Sequence, residues 1–217
     1  MIKTEKEFQF IICGTDTDIG KTMISAFFVR GLNSYYWKPI QSGIESDTDS
    51  KTVEKISKVN KTKIINESYI FKNPVSPHWA AEMDGKIINF KQLNIPKVKG
   101  SLIVETAGGL MVPITRSYLQ IDLIKKWSLP VILVCKSSLG TINHTLLSIE
   151  ALKKRNIKIL GLVINGPKHL DNPKTLKDFS GLPIIAEFPS IQKVDSKNLD
   201  ILWEELNIKN KLISLLH

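Results

Sequence analysis

Residues 10–28 read FIICGTDTDIGKTMISAFF. An apolar run closes at Gly14, small and polar residues follow, then Gly20-Lys21-Thr22, then a segment of helical periodicity. A strand that turns through glycine into a helix presents backbone N–H groups and the positive end of the helix dipole, and both favour phosphate. In such a turn Lys21 reaches the terminal phosphates and Thr22 offers its hydroxyl to Mg2+. Five residues separate Gly14 from Gly20, one more than the usual spacing. Two aspartates, Asp16 and Asp18, lie inside this loop. A carboxylate beside a polyphosphate is repelled unless a cation intervenes. A magnesium ion is one such cation, an amine substrate is another, and an aspartate turned to solvent needs neither.

Outward from the loop, apolar runs recur: FQFIIC, YYW, SLIVE, PVILVC, KILGLVI and LPIIAE. Most are short, continuous and β-branched, as strands covered on both faces are. Helical patterns lie between many of them, over residues 23–32, 119–127 and 141–155, and the tail over 199–215 also reads as helix. Strands alternating with helices predict an α/β fold with a single doubly wound, mainly parallel sheet and helices on both faces. The 217 residues suit one such domain spanning 1–217. Two stretches, 42–52 and 73–100, read as long irregular loops of functional length.

The formal charge of +9 invites a nucleic-acid partner, but only Arg30, Arg116 and Arg155 are arginines and the lysines are scattered. That pattern gives solubility and suits an anionic small substrate, so no nucleic-acid partner is expected. Cys13 and Cys135 each end a strand-like run and have neither metal-site nor disulfide-scaffold spacing. They read as buried thiols. The N-terminus lacks an apolar signal core, and the apolar runs are too short for a membrane span, so a cytoplasmic protein with no membrane partner is expected.

Ligands of open parallel sheets bind beyond the carboxyl ends of the strands. Those ends here lead into Lys38-Pro39 and Gln41-Ser42-Gly43, Glu105-Thr106-Ala107-Gly108-Gly109, Lys136-Ser137-Ser138-Leu139-Gly140, Asn165-Gly166-Pro167 and Glu187-Phe188-Pro189. Lys38 precedes proline, so its backbone is extended. It is either a cation aimed across the rim or a snorkelling surface lysine. Glu105 at a buried strand end needs a partner, and Mg2+ or a nearby lysine would serve. Asp49 could complete a metal site, with Asp47 its local rival. His78 and His144 sit near helix starts and are not read as catalytic bases. No serine stands in a nucleophile-elbow pattern.

Six segments taken together, GTDTDIGKT, YWKPIQSG, VSPH, VETAGGLMVPI, LGTINHTLLSIEAL and GLVINGP, resemble the dethiobiotin synthase family in content and order, from residue 14 to about 190. The resemblance implies a single P-loop NTPase-like domain acting as a homodimer with sites near the interface. It implies 7,8-diaminononanoate, CO2 and ATP as substrates and Mg2+ as cofactor. Carried over by position, Asp18, Ile19, Gly20, Lys21, Thr22 and Met23 hold the phosphates, and Thr22, Asp49 and Glu105 hold the metal. Lys38 is the catalytic lysine, with Lys21 and Thr17 beside it. Thr17 and Ser42 meet the diamine and carbamate. Thr106, Ala107 and Gly108 form a second phosphate contact, Leu139, Gly140 and Asn143 a helix start that receives the substrate carboxylate, and Asn165, Gly166 and Pro189 the adenine side. Thr106 stands where many members have glycine, and Asp18 where some have glutamate. The alignment of Asp49 crosses a loop of variable length.

Two other readings use a related fold. A partitioning-type ATPase switch would carry a lysine five residues before Lys21, where this chain has Asp16. A glutamine-dependent amidoligase would need a glutaminase domain for which 217 residues leave no room.

Overall fold

The computed structural model describes residues 6–44, 47–189 and 195–216. The first five residues of the N-terminal reading, and Glu45 and Ser46 of the 42–52 loop, lie outside the described residues.

Seven strands form one sheet: β1 (Gln9–Gly14), β2 (Tyr35–Trp37), β4 (Ile64–Ile65), β6 (Leu102–Glu105), β7 (Val131–Lys136), β8 (Ile159–Asn165) and β9 (Ile184–Phe188). Their order is β4-β2-β6-β1-β7-β8-β9, and every pair is parallel. A separate parallel pair joins β3 (Ile40–Ser42) to β5 (Tyr69–Phe71). The helices are α1 (Lys21–Leu32), α2 (Asp49–Ser57), α3 (Pro77–Met83), α4 (Gln120–Trp127), α5 (Thr141–Lys154), α6 (Asn172–Ser180), α7 (Ser196–Glu205) and α8 (Ile208–Leu215). No described helix is long and apolar enough to cross a membrane.

Although the strands are apolar throughout, alternation sorts their side chains to two faces. Phe10, Ile12, Tyr36, Ile103, Ile132 and Val134 pack beneath α1, α2, α7 and α8. Ile11, Cys13, Trp37, Val104, Leu133 and Cys135 pack beneath α3, α4, α5 and α6. The result is the doubly wound α/β/α sandwich expected of continuous β-branched runs.

The six runs read as strands are six of the seven in the main sheet. The two-residue β4 and the three-residue β3 and β5 are too short to show periodicity. The stretch 73–100, read as irregular, contains α3, which starts on the Ser76-Pro77 signal. The 42–52 loop runs into α2, capped by Thr48, whose side chain accepts from the Lys51 N–H at 3.3 Å. The tail, read as one helix over 199–215, is two, because Asn207 adopts a left-handed conformation (φ 50°) and breaks the chain between α7 and α8.

Parallel pairing puts all the carboxyl ends on one rim. The order β2-β6-β1 places Lys38, Glu105 and the loop after β1 side by side, while β7, β8 and β9 end on the loop's other side.

Candidate active site

The glycine-rich loop folds back tightly over the end of β1. A Cβ on Gly14 would lie 2.3 Å from Ile19 Cδ1. Gly20 has φ 90°, and a Cβ there would lie 2.1 Å from Asn165 Nδ2, which donates to the Ile19 carbonyl at 2.9 Å. The end of β8 therefore clamps the loop, and only glycine tolerates both the angle and the approach. We expect Gly20→Ala to destabilise the fold by about 1–3 kcal/mol through backbone strain and the lost clamp. Denaturant midpoints check this. Adding Asn165→Ala should cost less than the sum of the two single changes, since both break one contact.

Of the two loop aspartates, Asp16 is exposed and serves the loop itself. Its carboxylate accepts the Thr17 N–H at 2.7 Å and its carbonyl accepts the Lys21 ammonium at 2.7 Å. Asp18, left-handed at φ 53°, lines the cleft. Both acids are exposed, and of the two only Asp18 lines the cleft.

The chemistry converges at the end of β6. Glu105 is wholly buried. Its Oε1 lies 3.0 Å from Lys38 Nζ and 2.9 Å from Thr22 Oγ1, and its Oε2 accepts the Tyr36 hydroxyl at 2.9 Å. Lys38, 5% exposed, also pairs with Asp49, whose Oδ1 lies 2.7 Å from Thr22 Oγ1. The snorkelling reading of Lys38 is therefore set aside: its ammonium is held between two carboxylates. Asp49 rather than Asp47 joins this cluster, because it opens α2 beside Gln41. Gln41 Oε1 accepts the Asp49 N–H at 3.3 Å, while its Nε2 donates to the Ser42 and Gly43 carbonyls. Asp47 lines the cleft from an exposed position.

Burial opposes the Lys38 charge, but Glu105 and Asp49 outweigh it and raise the ammonium above its ordinary range. Burial likewise works against the Asp49 carboxylate, and the Lys38 charge with hydrogen bonds from Lys38 and Thr22 brings it below its ordinary value. Lys21 is lowered, chiefly by burial, with Lys38 adding to that and Glu105 opposing it. Burial and then the Glu105 charge push the Tyr36 phenol well above its usual value, so it remains a hydrogen-bond donor.

A cleft of about 760 Å³ opens over this cluster. It brings together Thr17, Asp18, Gly20, Lys21, Thr22, Lys38, Ser42, Asp49, Glu105, Ala107 and Gly108. Its far wall is Pro74, Val75, Ser76, Pro77 and Val112. Gln41, Gly43 and Asp47 line it as well, whereas the remaining residues assigned to the site by resemblance do not. Ile19 and Thr106 are buried behind it, and Met23 packs against the α1 core. Asn165 ends β8 and Gly166 follows it, exposed Pro189 follows β9, and Leu139, Gly140 and Asn143 stand at the start of α5. Sequence reasoning missed Tyr36 as part of the site, and it placed Gln41 on the rim without foreseeing its hold on Asp49. Tyr36 carried no signal beyond its apolar run. The wall residues were visible only as members of VSPH and GLMVPI.

The AAA domain family matches residues 9–198. The chain is 46% identical over 196 residues to the ATP-dependent dethiobiotin synthetase BioD of Brucella anthropi, covering 90% of this chain and 92% of that one. It is 42% identical to the BioD of Rhodopseudomonas palustris strain TIE-1 over 191 residues, covering 88% and 90%. Against the BioD of Agrobacterium fabrum it is 40% identical over 191 residues, again covering 88% and 90%. Among solved structures, it is similar to the MinC:MinD cell division complex of Aquifex aeolicus, with TM-score 0.55, 12% identity and coverage of 96% and 95%. It is also similar to a ParA family ATPase of Chlorobium tepidum TLS, with TM-score 0.52, 13% identity and coverage of 98% and 100%. These two likenesses concern the fold alone.

Proposed function

The chain belongs to the family of ATP-dependent dethiobiotin synthetases, ligases that form carbon–nitrogen bonds, and from that premise we propose the reaction its cleft carries out. The substrates are 7,8-diaminononanoate, CO2 and ATP. One amine attacks CO2, forming a C–N bond and losing a proton to give a carbamate. A carbamate oxygen attacks the γ-phosphorus and breaks its bond to ADP. The second amine attacks the resulting carbamic-phosphoric anhydride, loses a proton and expels phosphate, closing the cyclic urea.

The single observation that carries this reading is the pair of buried lysines, Lys21 and Lys38, lining one cleft with Glu105 and Asp49 between β2 and the loop. Phosphoryl transfer is mostly positioning and charge stabilisation. Lys21 and the loop from Asp18 to Met23 hold the terminal phosphates, with Thr106, Ala107 and Gly108 as the second contact. Lys38 stabilises the carbamate and the transferring phosphoryl group. Thr17 and Ser42 orient the diamine and carbamate. Ser42 lines the cleft, and among the described residues its buried hydroxyl has no hydrogen-bond partner. Leu139, Gly140 and Asn143 receive the substrate carboxylate, while Asn165, Gly166 and Pro189 flank adenine.

Mg2+ suits the donor set. Among the described residues no three His, Cys, Asp or Glu side chains gather into an all-protein metal cage. Magnesium is commonly bound through one or two carboxylates plus substrate phosphates. Thr22, Asp49 and Glu105 supply hard oxygens at one point. Bound there, Mg2+ would neutralise charge on the β- and γ-phosphates. We propose a cytoplasmic homodimer as the working unit, with no nucleic-acid partner.

The test is ADP release by purified protein with Mg-ATP and bicarbonate, with and without the diamine. Diamine-dependent ADP, with dethiobiotin identified by mass, is the expected result. ATP hydrolysis that ignores the diamine and responds to DNA would overturn the reading in favour of a partitioning-type switch, whose fold this chain shares.

A further inference from the structure

Glu105 Oε1 faces Lys38 and Thr22, and so the cleft, while Oε2 points back into the protein, where the Tyr36 hydroxyl meets it at 2.9 Å. Both residues are 0% exposed. A carboxylate oxygen buried without a donor is costly, so this contact fixes the orientation of the carboxylate. The register explains the meeting. Tyr36 pairs with Ile103 and Trp37 with Val104. Alternation then puts Tyr36 and Ile103 on the α1 face, and Glu105 returns to that face one strand away. The phenol ring cannot drift, because it is packed in the apolar layer under α1. Tyr36 does not line the cleft, so whatever it does for the reaction passes through Glu105.

We infer that Tyr36 is a positioning residue: its hydroxyl anchors Glu105 Oε2 and so presents Oε1 to the magnesium of Mg-ATP. The inference rests on the reading of Glu105 as a metal ligand. Outer partners of metal ligands orient them, and removing one typically weakens metal affinity or activity about 10–100-fold. Tyr36→Phe removes the donor and keeps the ring.

The experiment measures binding of a non-hydrolysable ATP analogue to wild type, Tyr36→Phe and Glu105→Gln, once with Mg2+ and once with a chelator. In wild type, Mg2+ is expected to tighten binding. Glu105→Gln should lose most of that gain. Tyr36→Phe should lose about 10–100-fold of it, with the chelator value within about twofold of wild type. A merely structural tyrosine would lower both values together or neither, and either result overturns the inference. If Glu105→Gln keeps the full metal effect, the ligand reading of Glu105 fails and this inference with it. If only Tyr36→Phe keeps it, the Tyr36 role alone falls.

Should Tyr36→Phe fail to fold, wild-type protein labelled at tyrosine Cζ gives the same answer. The chain has four tyrosines, and Tyr35→Phe, Tyr69→Phe and Tyr118→Phe assign the fourth signal by elimination. That signal should move when Mg2+ is added to the complex with the ATP analogue. A stationary signal overturns the inference.

Discussion

Lys38→Ala is expected to lower diamine-dependent turnover by about 10²–10³, the cost typical of losing one preorganised donor at a developing charge. On the proposed reading, in which the loop, Lys21 and the start of α1 hold the phosphates without it, ATP affinity should stay within a few-fold of wild type. The expectation follows from where Lys38 sits. Its ammonium is buried between Glu105 and Asp49 at the floor of the cleft, and those carboxylates hold its pKa above the ordinary lysine value. It therefore keeps its charge through neutral and mildly alkaline pH, and that charge is lost only as pH rises through the raised value. Lys38→Arg should not restore full turnover, since a planar fork replaces a compact point charge in a site shaped by two carboxylates. Steady-state turnover and calorimetric ATP binding on the same samples check the split. Near-normal turnover in Lys38→Ala would remove Lys38 from the reaction. A parallel loss of ATP affinity would make it a binding residue instead.

Trp203→Ala is expected to cost about 3–5 kcal/mol of folding stability, the range for deleting a buried aromatic. Trp203, on α7, is 6% exposed and stands edge to face with Phe27 and Phe28 of α1, at ring-centre separations of 5.3 and 6.0 Å. Phe27 in turn meets Phe188 at 5.2 Å. Gly31 is part of the fit, since a Cβ there would lie 2.2 Å from the indole. The same two helices are also joined by an ion pair, Arg30 with Asp200 at 2.8 Å, which is partly exposed. Such pairs contribute about 0–1 kcal/mol, so burial of Trp203 and Leu199 rather than the ion pair decides how firmly α7 docks. Urea unfolding of the variant against wild type measures the loss. A cost under about 1 kcal/mol would mean that α7 contributes little to the core, against the lower bound for such truncations.

The tail illustrates how legibility fades. Residues 199–215 repeat apolar positions at helical spacing, so a helix was readable, but nothing local marked Trp203 as the partner of α1 or Asn207 as a break. The short strands β3, β4 and β5 escaped for a related reason: two or three residues cannot display a period, and unlike the aromatic YYW of β2 they were not singled out as strand-like runs. The long buried strands and the loop around Gly20-Lys21-Thr22 were legible because their signals are local. A β-branched run between turns, or a glycine spacing before a helix, is complete within a dozen residues.

The sequence by itself determined the doubly wound sheet, the rim on which the polar residues gather, and the family to which six ordered motifs point. Only the tertiary structure decided what those residues do to one another. It buried Lys38 rather than letting it snorkel, brought Asp49 and not Asp47 to Thr22, made Asp18 and not Asp16 part of the cleft lining, and set the Tyr36 hydroxyl against Glu105. The physical reason is one of range. Hydrophobic periodicity is written into neighbouring residues, whereas a hydrogen bond between Tyr36 and Glu105 depends on the register of two strands 69 positions apart in the chain.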